Sequence, residues 1–77
     1  MSGITFEGTG GCVTVAIGDQ AIVTAINEKG NKVDQLLDSS GSPTKAAIET
    51  VCQKVGVDPT QVFTFVNKEI HQRNYPS

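Results

Sequence analysis

The residues with the most evident chemical potential lie early in the chain. In EGTGGCVTVAIGDQAIVTAINEKG, residues 7–30, Gly8 and Gly10 are spaced as in a phosphate-cradling Gly-x-Gly. Glu28 stands 20 residues after Gly8, where an acid would meet a ribose in a dinucleotide site. That chemistry also needs a third glycine and a helix whose N-terminus faces the pyrophosphate. Val13 holds the third position, and the residues that follow, Val13-Thr14-Val15-Ala16-Ile17, alternate and are rich in β-branched side chains. Gly18-Asp19 ends that run before a crossover helix could form, and the chain has no Gly-Lys-Ser/Thr. The stretch therefore reads as strand, turn, strand, and no cofactor is expected.

Cys12 and Cys52 are the candidate nucleophiles, and His71 is the only histidine that could serve as their base. Nothing in the spacing brings His71 to either thiol. One histidine and two cysteines 40 residues apart give no metal-ligand pattern. Asp34 and Asp38 fall at a strand end and loop and read as solvated carboxylates. No acid/base pair, activated nucleophile or metal site can be assembled, so an enzyme is not expected.

Length and composition narrow the remaining classes. The 77 residues suffice for a single domain, 1–77. With 38% hydrophobic and 18% charged residues the profile is globular, and three Phe, one Tyr and no Trp leave a core of Val, Ile, Leu and Ala. The net charge is −2, and the six cations, Lys29, Lys32, Lys45, Lys54, Lys68 and Arg73, never stand side by side. Counterion release, the main source of nucleic-acid affinity, needs them clustered, so charge disfavours a nucleic-acid partner. No apolar run is long enough for a membrane span. Unpaired-looking cysteines and the lack of a basic-then-apolar leader in MSGITFEG point to a cytoplasmic protein.

The elements that must position these residues come in two kinds. From residue 3 to 38 apolar residues alternate, and GTGG, GD and EKGN divide the stretch into four strands. Reading 18–19 as a two-residue hairpin loop sets Ile17 against Gln20, Val15 against Ile22 and Val13 against Thr24. A GTGG loop sets Phe6 against Val13 and Ile4 against Val15. An EKGN loop sets Val33 against Ile26 and Leu37 against Ile22. All these would share one apolar face, leaving Cys12, Thr14, Ala16, Ala21, Val23 and Ala25 on the reverse.

After DSSGSP the spacing turns helical. Ser42 is the expected N-cap, with Pro43 first in a helix over 43–55 whose stripe is Ala47, Ile48, Val51, Cys52 and Val55. Gly56 ends it, and Asp58 caps a second helix over 59–72, with Pro59 at its first position and Gln61 at the third. The second stripe is Val62, Phe65, Val66 and Ile70, and 73–77 is expected to fray. The residues ETVCQKVGVDPTQVFTFVNKEI, with a small Cys52 four positions before Gly56 and apolar partners at Val51, Val55, Val57, Val62 and Phe65, resemble a helix-turn-helix. That resemblance covers 22 of the 77 residues. It implies a DNA-reading face of Thr60, Gln61, Thr64, Asn67, Lys68 and His71. Asp58 and Phe63 oppose that use, the one by charge and the other by lying amid the reading face.

The expected fold is thus α+β: a four-stranded antiparallel meander (3–38) followed by two helices (43–72) packed on one face, ββββαα. The leading functional expectation is a small non-enzymatic protein, an accessory subunit or inhibitor, acting by protein–protein interaction. Candidate contact residues are Phe63, which the helical stripe leaves toward solvent, and Cys12, Thr14, Ala16 and Val23 on the reverse of the sheet. A homodimer would also cover that reverse face. The alternative is a DNA-binding regulator using the second helix.

Overall fold

Alternating β-branched residues and three turns build the sheet. The computed structural model describes residues 2–38 and 43–74. Strands β1 (Ser2–Gly8), β2 (Gly11–Ile17), β3 (Ala21–Asn27) and β4 (Lys32–Asp38) form one antiparallel sheet in the order β1-β2-β3-β4. Helices α1 (Lys45–Gln53) and α2 (Pro59–Asn74) follow. The expected ββββαα architecture is the observed one.

Register differs from expectation at the second turn. Phe6 pairs with Val13 and Ile4 with Val15, as the GTGG spacing requires, although pairing continues to Gly8 and Gly11. The loop between β2 and β3, however, has three residues, Gly18, Asp19 and Gln20, closed by a Gly18 N–H to Gln20 carbonyl bond of 3.1 Å. Ile17 consequently faces Ala21, and Val15 faces Val23. A one-residue slip sends every side chain of a strand to the other face. Ala21, Val23 and Ala25 are therefore buried, and Ile22, Thr24 and Ile26 lie on the reverse. The physical reason is space. Helix α1 packs over β3 and β4, and alanines beneath a helix allow a closer approach than isoleucines would.

At the third turn Leu37 does oppose Ile22, but on the reverse face, and Ile26 meets Lys32 in place of Val33. The register shifts between Ala25 and Ile26, which makes Val33 the extra residue of a bulge. Asn27 organises this turn. Its side-chain carbonyl accepts from Lys29 N–H and Asn31 N–H, each at 3.0 Å, and Gly30 takes a φ of 83°.

The core fills the layer between sheet and helices. Val13, Val15 and Ile17 of β2 and the three β3 residues meet Ile48, Val51 and Cys52 of α1, Val55 and Val57 of the corner, and Val62 and Val66 of α2. Phe65 carries α2 toward β1, its ring edge-on to Phe6 at 6.2 Å. Helix α1 is capped by Thr44, whose hydroxyl accepts from Ala47 N–H at 3.2 Å, two residues later than Ser42 would have placed it. Pro43 is buried ahead of the helix instead of opening it, and Ser42 lies outside the described residues. Gly56 ends the α1 turn at φ 69°, and the Val57 N–H returns to the Cys52 carbonyl at 3.1 Å, closing a Schellman motif. Asp58 caps α2 through the Thr60 N–H at 2.9 Å. Helical backbone continues through Asn74, beyond the expected end at 72, and the rest of the expected frayed tail lies outside the described residues.

Candidate functional site: the open face of the sheet

The glycine stretch is placed by contacts rather than by a ligand. Gly10 N–H donates to the Val55 carbonyl at 3.0 Å. A Cβ on Gly8 would stand 2.6 Å from that same oxygen and 2.7 Å from the Gly56 backbone, and one on Gly56 would collide with the Thr9 hydroxyl. Residues 8–11 therefore form the seat on which the α1–α2 corner rests. Glu28 sits exposed in the third turn. The glycines serve close backbone approach, which is also why such sequences mimic phosphate loops.

The thiols are separate and free. Cys52 is fully buried on α1, and burial, reinforced by the Asp58 charge, pushes its thiol up from the ordinary 9.0 to about 11. It packs within the core between the helices and the sheet. Cys12 is half-buried on the reverse face of the sheet. Among the described residues no three His, Cys, Asp or Glu side chains gather as a metal site, and no helix is long and apolar enough to cross a membrane. Asp34 and Asp38 both lie on the helix side of β4, opposite Ala25 and Ala21, and are half-buried rather than fully solvated.

The remaining candidates divide between two surfaces. On α2, Thr60, Gln61, Thr64, Asn67 and Lys68 are all exposed. Phe63 is half-buried and packs against the margin of the core. His71 belongs to α2, with its side chain outside the described residues. Lys68 is the one cation among the five exposed residues, and Asp58 is exposed at the same helix start.

The second surface is the sheet face that the helices leave bare. Three cross-strand rows compose it: Gly3-Ala16-Ile22-Leu37, Thr5-Thr14-Thr24-Gln35 and Glu7-Cys12-Ile26-Lys32. Cys12, Thr14 and Ala16 are on it as expected, all half-buried. Val23 is not: it is 0% exposed and belongs to the core, corrected by the three-residue loop that turned β3 over. In its place the face gains Ile22, Ile26 and Leu37. Leu37 is 56% exposed and Val33 44%. Gln35 donates to the Thr24 hydroxyl at 3.0 Å, fixing the central row.

Alternation alone could not reveal this face. Both stripes of β3 are apolar, and alternation favours the larger side chains inward because nothing in the sequence states how near α1 approaches. The surviving signal was Gln20, a residue that extends GD into a three-residue loop. The chain matches no protein-family model, no curated protein and no solved structure.

Proposed function

We propose that this chain is a small non-enzymatic protein that acts by binding protein through the open face of its sheet. The observation that carries the reading is the set of Ile22, Ile26 and Leu37 that the helices leave uncovered on one face of a hydrogen-bonded sheet. Isolated apolar residues on a surface are ordinary, but a contiguous group on one flat face marks a contact site. The polar Thr5-Thr14-Thr24-Gln35 row through its centre would give such a contact orientation as well as area. The two free thiols support a reducing, cytoplasmic setting. Affinity capture from the source cells with wild type and Leu37→Asp tests the reading. A partner retained by wild type and lost with the variant is expected; capture that ignores the substitution would sink it.

The exposed Thr60, Gln61, Thr64, Asn67 and Lys68 support a second reading, a DNA-binding regulator. Its single cation and the exposed Asp58 weigh against it, because phosphate contacts need clustered positive charge. Salt-sensitive retention on duplex DNA, weakened by Lys68→Ala, is what that reading requires.

A further inference from the structure

The open face is a ramp. Strands β1 and β2 present small side chains, Gly3, Thr5, Cys12, Thr14 and Ala16, whereas β3 and β4 present Ile22, Ile26, Gln35 and Leu37. Its charges are placed at opposite corners of one row, Glu7 on β1 and Lys32 on β4. A surface that is low and acidic on one side and high and basic on the other fits a copy of itself under one symmetry.

We infer that the face binds a second copy of this chain, sheet against sheet, about a two-fold axis parallel to the strands between β2 and β3. This rests on the protein-binding reading and names its occupant. That axis lays β1 over β4 of the second copy and β2 over β3, so each row meets itself reversed. Gly3 then lies under Leu37 of the second copy, Ala16 under Ile22 and Cys12 under Ile26. In every one of these pairs a small residue receives a large one. Glu7 meets Lys32 at both rims, and Thr14 meets Thr24 at the centre, where each hydroxyl both donates and accepts, directly or through a trapped water. A two-fold axis across the strands would instead stack β1 on β1 and β4 on β4. That places small on small, leaving a void, and Leu37 on Lys32. Size and charge both select the first axis, and isologous closure leaves no surface for further growth.

Area sets the strength. Four strands about 4.8 Å apart and seven residues long present a face of roughly 19 by 23 Å. Two such faces bury on the order of 1,000 Å², where specific association begins. A micromolar dimer is the expectation, with the rim charges fixing register more than affinity.

The test is sedimentation equilibrium on the full chain, from about micromolar to about millimolar concentration. Wild type should dimerise, and Leu37→Asp should remain monomeric. Glu7→Lys and Lys32→Glu, both at exposed positions, should each weaken the dimer about tenfold at low salt. An equimolar mixture of those two variants should restore it, because both rim pairs are again opposite in sign. Three results overturn the inference: a monomer throughout the range, a dimer indifferent to Leu37→Asp, as edge pairing of β1 or β4 would give, or charge reversals that fail to complement each other. A monomeric wild type that still captures another protein through Leu37 would refute self-pairing alone. Capture unaffected by Leu37→Asp would instead refute the binding role of the face.

Discussion

Cys52 and Cys12 differ by environment alone. Cys52 is enclosed between α1 and the sheet, whereas Cys12 looks out from β2. In the native protein a maleimide should modify one thiol per chain, and in urea two; mass spectrometry of the labelled chain reads the count. The raised Cys52 value also has a consequence for pH. The unfolded chain ionises this thiol near 9.0 and the folded chain only near about 11. Its contribution to stability is therefore complete below about pH 9 and is lost as pH rises toward about 11. Urea midpoints measured across that window should fall more steeply for wild type than for Cys52→Ala. Thr44 is a simpler case, since its hydroxyl closes one helix end. Thr44→Ala should cost about 1 kcal/mol in urea unfolding.

At the scale of elements, the contact between the first turn and the helix corner governs how the two halves join. Gly8→Ala forces a methyl into the Val55 and Gly56 backbone, which has no flexible end to yield. Gly56→Ala adds the strain of a left-handed backbone to a collision with Thr9. Each should destabilise by about 1–3 kcal/mol, measured by urea unfolding, with Gly30→Ala milder because nothing lies within 4 Å of its added methyl. These elements are largely legible in the sequence. Gly56, Asp58 and Pro59 spelled the corner correctly, because caps and turns are local chemistry. The face of β3 was not legible. Whether Ala21-Val23-Ala25 or Ile22-Thr24-Ile26 turns inward depends on a helix more than 20 residues downstream, and on one residue of loop length. Likewise Ser42 and Thr44 are equally good caps locally, and the choice between them follows from where Pro43 is buried.

Over the whole molecule the consequence is a two-layer arrangement in which no described element covers the second face of the sheet. Stability should be nearly indifferent to that side. Leu37→Asp should shift the unfolding free energy of the monomer by no more than about 0.5 kcal/mol, while Ile48→Ala, beneath α1, should cost about 2–4 kcal/mol. Denaturant titration of both variants at low concentration separates the two effects. The candidate site was half visible in the sequence. Alternation places Cys12, Thr14 and Ala16 on the face, but it points Ile22, Ile26 and Leu37, which give the face its apolar area, toward the core. The spacing of α2 allows Phe63 either to emerge as an anchor or to join the core, and it packs half-buried at the core margin because the stripe of α2 is wider than its strongest residues suggest.

The seat formed by Gly8, Thr9 and Gly10 has a practical bearing on the two neighbouring hairpin tips. The first is clamped by a carbonyl 45 residues downstream, so lengthening it would pry the helices from the sheet. The EKGN tip is held only by its own Asn27, and Gly30 faces empty space. A fluorophore or epitope inserted at Gly30 should leave the fold intact, whereas the same insertion at Thr9 should not. One end of this small sheet is thus a joint, and the tip beside it is a handle.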